Sequence, residues 1–265
     1  MSAAKTQADA PLLCFDTLNR VNDTVHVPAY TPQQHGTGIV HLGPGAFHRA
    51  HQAVYTDAAL SISGGDWRIV SISLRSRDVA DALNHQDGLY TLIENSTGGS
   101  RARIIGSLER VIAAADDREA ALLAMADPST RIISMTVTEK AYGIDRLAPG
   151  LDKNHPAVAH DLAHPRQPEG VLGLIVESLR RRWQAGHNAP TLLCCDNLPN
   201  NGDVLRAGVL DFARRIDPAL AGWIKKEACF PSSMVDRITP ASTEETLNRC
   251  HDLTGCIDKV PVETE

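Results

Sequence analysis

From residue 38 onward, short apolar runs alternate with longer stretches whose apolar residues recur at helical spacing, and few architectures absorb such a pattern. The runs are "GIVHL" (38–42), "WRIVSISL" (67–74), "RIISMTV" (131–137) and "TLLCCDN" (191–197). Each is short and apolar nearly throughout, which suits a strand buried on both faces. Between the first two lies "AFHRAHQAVYTDAALSIS" (46–63), in which Phe47, Ala50, Val54, Ala58 and Ile62 share one helical face. Strand, helix and strand in that order predict a βαβ unit. Its repetition predicts an α/β fold: a Rossmann-like, mostly parallel sheet with crossover helices.

One interval breaks the rule. "LYTLIEN" (89–95), "STGGS" (96–100) and "RARIIGSL" (101–108) read as two strands around a glycine-containing turn, so an antiparallel hairpin excursion is expected at 89–108. The next helix is "DDREAALLAMAD" (116–127), N-capped by Asp116 or Asp117. Another, "PEGVLGLIVESLRRRWQAG" (168–186), starts near Pro168 and stops at Gly186. Residues 1–37 are polar and contain Pro11, Pro28 and Pro32, as an extension draped over a neighbouring surface would. The expected organisation is this extension, a dinucleotide-binding domain over 38–245, and the start of a helical C-terminal domain over 246–265.

Charge excludes some function classes. A net charge of −6 over 265 residues and a pI near 6.0 do not suit a nucleic-acid surface, which needs clustered Lys and Arg. The arginine triplet 180–182 falls at the end of a helical pattern and reads as a solvated last turn that favours the helix dipole. No window reaches the ~20 apolar residues of a membrane span, and the N-terminus does not read as a signal peptide. A cytoplasmic enzyme with reduced thiols is expected, because the six cysteines show no C-x-x-C spacing.

The chemistry concentrates in "HLGPGAFHRAH" (41–51), where a strand meets a helix. Gly43, Pro44, Gly45, Ala46 and Phe47 form the turn, and the two glycines make the G-x-G half of a dinucleotide fingerprint. His48 stands where the third glycine would be, which must alter how helix packs on strand. A metal reading would use His48 and His51. Their i, i+3 spacing is suitable, but no further ligand cluster presents itself, so no metal is expected. After the second strand comes "SLRSRD". Arg75 and Arg77 would favour the 2′-phosphate of NADP, whereas Asp78 could reach the ribose of NAD, so the choice between NAD and NADP stays open. Polar residues that follow the third and fourth strands, in "TVTEKAYG" (136–143) and "CDNLPNNG" (195–202), should converge on the crevice at the strand ends. Asn197 could donate its amide to an oxyanion or a nicotinamide carbonyl, or simply form a turn.

Taken in order, "HLGPGAFHRAHQ", "DGLYTL", "TVTEKAYG", "CDNLPNNG" and "FPSSMVDRITP" (230–240) resemble the polyol-specific long-chain dehydrogenase family, which includes mannitol 2-dehydrogenase and fructuronate reductase. The resemblance runs from about residue 19 to the end. It implies zinc-independent, NAD(P)-dependent interconversion of a sugar-alcohol or sugar-acid hydroxyl and the corresponding ketone. It also implies that Gly43 to Phe47 hold the cofactor together with Thr138, Glu139 and Lys140, and that Asn197 belongs to the oxyanion-stabilising pair. Val235, Asp236 and Arg237 would border the cofactor and substrate cleft, with Arg237 on the substrate side. The family's base is a lysine on a helical C-terminal domain, and none of the six lysines here matches it. The expectation is therefore a cofactor-binding portion that turns substrate over poorly by itself. The alternative is an inactive module that binds nucleotide or a partner, self-associating through the surface a second domain would cover.

Overall fold

The computed structural model describes residues 10–137, 142–144 and 150–265. Five strands form the main sheet: β1 (Thr37–Leu42), β2 (Arg68–Ser73), β5 (Leu108–Ala113), β6 (Ile132–Met135) and β7 (Thr191–Cys194), in the order β5-β2-β1-β6-β7. Every neighbouring pair is parallel. From central β1 the chain first builds outward through β2 and β5, then returns to build β6 and β7 on the other side. The resulting switch point between β1 and β6 is where such sheets bind ligands, at the carboxyl ends of the strands.

Alternation along β1 sends its side chains into two cores, which is why the strand reads as continuously apolar. Val40 and Leu42 face one layer, with Leu172 and Ile175 of α6 (Val171–Gln184) and Phe212 of α7 (Asn201–Ile216). Ile39 faces the other, with Val54 of α2 (Gln52–Ser63) and Leu83 of α3 (Asp78–His85). The remaining helices are α1 (Ala46–Ala50), α4 (Arg118–Ala126), α5 (Pro156–Ala163), α8 (Pro218–Glu227) and α9 (Glu244–Thr254).

The expected hairpin is present: β3 (Tyr90–Ser96) pairs antiparallel with β4 (Gly99–Ile105). The carboxylate of Asp117 caps α4 by accepting from the Ala120 N–H at 2.8 Å. Residues 246–265, read from the sequence as the start of a further domain, supply most of α9 and all of β8 (Val262–Thr264), and β8 joins the hairpin as a parallel third strand. The extension packs there too, its Leu13, Val21 and Val25 buried with Leu89, Ile104 and Cys256.

Two helical expectations need correction. The helix after β1 is broken at His51 (φ −119°, ψ −95°) into α1 and α2, which rotates the face read from 46–63 and leaves Ile62 84% exposed. The arginine triplet is not a solvated turn. Arg182 is buried and donates to the carbonyls of Asn188 and Asp127, stitching α6 to the end of α4. Arg180 and Arg181 both reach Glu177, whose carboxylate burial pushes its pKa up against their pull.

Candidate active site at the carboxyl ends of the strands

At the switch point the chain turns sharply from β1 into α1. Gly43 sits at φ +98°, donates its N–H to Ile72 O at 2.9 Å, and lies so close to Thr136 that any Cβ would run into that residue's carbonyl oxygen. The glycine is thus required by the approach of β1 to β6. Gly45 differs: its φ is −67° and a Cβ there would meet nothing within 4 Å. That space lies beside the first turn of α1, whose N–H groups no side chain caps among the described residues.

His48 explains how the fold dispenses with a third glycine. Its ring lies flat on that of His41 in β1, with 3.4 Å between centroids and 11° between planes, so helix and strand are spaced by an imidazole stack. His41 is anchored by Ser134 at 2.8 Å, Thr136 at 2.9 Å and the Gly43 carbonyl at 3.1 Å, and burial pushes its pKa down to about 3. His48 is fully buried without a hydrogen-bond partner for either ring nitrogen among the described residues, and burial holds its pKa well below the usual histidine range. His51 turns elsewhere, between the rings of Phe47 and Tyr55. Arg49 is buried as well, donating to the carbonyls of Pro44 and Val260.

Next to this turn, the ends of β2 and β5 open onto a cavity of about 690 Å³. Leu74 and Arg75 line it from β2, Ala114 and Ala115 from β5, and Arg118, His160 and Glu169 are among the polar groups beyond them. The arginines expected to act together are separated: Arg75 lines the cavity, whereas Arg77 is paired with Asp116.

On the other side of the switch point, Asp196 ties β6 to β7. It accepts from the Val137 N–H at 3.2 Å and from the Tyr142 hydroxyl, which also contacts Cys194 Sγ at 3.1 Å. Burial beside Asp196 raises the Tyr142 pKa and keeps the phenol protonated. Asn197, the next residue, is exposed in the bend that follows β7. Sequence reading missed Asn201, which is buried at the start of α7. Its amide nitrogen donates to Asp196 O and Ser233 O, both at 3.0 Å, and its oxygen accepts from the Ser233 N–H at 3.0 Å. These bonds seat the 230–240 segment over the end of β7. The signal was available in "NNG", a side-chain amide opening a helix.

Along that segment Val235 is half-buried and Asp236 exposed. Arg237 is largely occupied: its guanidinium donates to Ala50 O at 2.6 Å, Thr264 Oγ1 at 2.9 Å and Glu94 Oε1 at 3.1 Å, joining the segment to α1 and the smaller sheet. Thr138, Glu139 and Lys140 lie outside the described residues. Among the described residues no group of three or more His, Cys, Asp or Glu side chains could hold a metal, and no helix is long and apolar enough to cross a membrane.

Residues 37–264 match the family described as the mannitol dehydrogenase Rossmann domain. The chain is 42% identical over 242 residues to the D-mannonate oxidoreductase of Escherichia coli K12, covering 90% of this chain and 50% of that one. It is 40% identical over 259 residues to the polyol:NADP oxidoreductase of Gluconobacter oxydans, covering 96% and 53%. Among solved structures, the mannitol 2-dehydrogenase of Pseudomonas fluorescens in ternary complex with NAD and D-mannitol superposes with a TM-score of 0.92 at 42% identity, covering 96% of this chain and 52% of that one. The chain thus spans about half the length of these relatives. With the strand order, the glycine turn and the sequence match in agreement, this chain belongs to the mannitol dehydrogenase family and carries its Rossmann domain.

Proposed function

We propose that this chain binds NAD or NADP across the carboxyl ends of its parallel strands, as the cofactor-binding part of a dehydrogenase that interconverts a sugar-alcohol or aldonate hydroxyl and the corresponding ketone. The observation that carries the reading is Gly45: among the described residues nothing lies within 4 Å of where its Cβ would stand, beside the first turn of α1 and near the cavity at the ends of β2 and β5. A pyrophosphate needs that kind of close approach to backbone N–H groups. The cofactor, when bound, supplies the hydride acceptor or donor.

The chain's own residues do the positioning. Gly43 to Phe47 hold the pyrophosphate, Arg75 the adenosine end, and Thr138, Glu139, Lys140, Val235 and Asp236 the remaining cofactor contacts. Asn197 donates its amide to the substrate oxygen as negative charge develops there, a contribution that in oxyanion sites is worth about 10² to 10³ in rate. Arg237 holds the rim of the substrate cleft through Ala50 and Glu94. The relatives' names point to mannitol or mannonate as the substrate class, and the corresponding ketones would be fructose and fructuronate. A cytoplasmic setting accords with the free cysteines.

An amide cannot accept the hydroxyl proton, and general-base assistance is typically worth ~10² to 10⁴ in rate. Turnover therefore needs a proton acceptor other than Asn197. The test is titration of the chain with NADH and NADPH, followed by fluorescence. Micromolar binding that Asn197→Ala leaves intact supports a cofactor site separate from the substrate amide; no binding of either nucleotide rejects the reading.

A further inference from the structure

In dinucleotide folds an acidic side chain at the end of the second strand accepts ribose hydroxyl protons and repels a 2′-phosphate. β2 ends without one: Leu74, Arg75 and Ser76 follow it. The first carboxylate comes at Asp78. Its N–H donates to Ser76 Oγ at 3.2 Å, in the first turn of α3, and its side chain is not among those lining the cavity. Arg77 is committed to Asp116. Arg75 remains on the cavity wall and forms no ion pair among the described residues.

A second cation faces the same cavity from another element. Arg118, the first residue of α4, is paired with Glu169 at 3.4 Å, a long contact between side chains 34% and 56% exposed. Glu169 also lies 3.7 Å from His160 Nε2. The His160 ring is held from behind, Nδ1 at 3.0 Å from Asp161, a buried carboxylate that also accepts the Glu169 and Gly170 N–H groups at 2.8 Å. Two guanidinium groups therefore face a space containing one exposed carboxylate. That carboxylate is held only by long contacts and can turn to solvent.

We propose that Arg75 and Arg118 together clamp the 2′-phosphate of NADP, with Arg118 exchanging Glu169 for the phosphate, so that this chain favours NADP over NAD. The proposal rests on the nicotinamide-cofactor reading above and adds which cofactor and which residues discriminate. Arg118 lies more than forty residues beyond Arg75 in the sequence, so only the neighbouring positions of β2 and β5 bring them to one cavity. The competing chemistry is that Glu169 accepts ribose hydroxyls, which would favour NAD.

Calorimetric titration of the 265-residue chain with NADP, NAD, adenosine 2′,5′-bisphosphate and 5′-AMP separates the outcomes. The clamp predicts NADP tighter than NAD by about tenfold or more, the bisphosphate tighter than 5′-AMP by a similar factor, and both advantages shrinking as salt screens the site. Arg75→Ala and Arg118→Ala should each weaken NADP about tenfold and weaken NAD much less. Arg77→Ala should alter neither. All three side chains are surface-accessible, so thermal melts are expected to match that of the unsubstituted chain. Equal affinities, or tighter NAD binding that Glu169→Gln abolishes, would overturn the clamp and leave the cofactor reading standing. Binding of neither dinucleotide would overturn both.

Discussion

The turns that follow β1 and β2 lie side by side on one edge of the same sheet, yet they use their polar residues in opposite ways. Around the β1 turn, His41, His48 and Arg49 are all buried, and their stacking and hydrogen bonds fasten a helix to a strand. After β2, Arg75 faces a cavity and forms no ion pair among the described residues. The first turn is richer in residues that suggest chemistry, but it is the one closed by packing. A side chain packed between helix and strand cannot reach a ligand, so burial separates the two cases where residue type does not.

The largest effect should come from the closed turn. Gly43→Ala forces a Cβ into the Thr136 carbonyl at a backbone angle that alanine resists, and we expect a loss of about 3 to 5 kcal/mol. The urea midpoint reads this directly. A loss below about 1 kcal/mol would mean that β1 and β6 can separate without penalty, and that packing does not set the two turns apart.

Acid should expose the same region next. His41 and His48 have folded pKa values depressed by burial, while in the unfolded chain both return to about 6.5. Above that value both states are neutral and no stability is at stake. As pH falls below it the unfolded chain takes up protons that the native fold refuses, so stability is lost progressively toward pH 3. For His41 alone the loss is about 2 kcal/mol by pH 5. Replacing His48 with Phe keeps a flat ring on His41 and removes one titrating group, so the slope of stability against pH between 6 and 4 should become shallower. An unchanged slope would place the acid sensitivity elsewhere.

The smallest change in stability should come from Gly45. A Cβ at Gly45 meets nothing within 4 Å among the described residues, so Gly45→Val should shift stability by no more than about 0.5 kcal/mol, while nucleotide affinity falls more than tenfold because the branch enters the pyrophosphate path. Normal stability with normal binding would show that the dinucleotide lies elsewhere.

Much of this molecule could be read without coordinates, because the signals are local. Continuous apolar runs become strands wherever both faces are covered, and "GIVHL" and "RIISMTV" pair as neighbours. A glycine-containing turn between alternating runs becomes a hairpin. Asp117 caps a helix because a short carboxylate reaches the third amide from wherever the helix starts. The glycine turn and Asn197 were visible for the same reason: each follows a recognisable strand.

Tertiary structure decided what each polar residue is free to do. Nothing local distinguishes Arg182, buried across α4, from its neighbours in a charged triplet, and nothing local says that Arg77 turns to Asp116 while Arg75 does not. Arg237, drawn toward a cleft by its motif, is held by Ala50, Thr264 and Glu94. Those partners lie far away in the chain, and a side chain's availability depends on which long-range hydrogen bonds it has already made. The sequence by itself determined the strands, the turn and the family. The meeting of Arg75 with Arg118, and the imidazole stack that replaces a glycine, exist only because parallel pairing sets distant segments side by side.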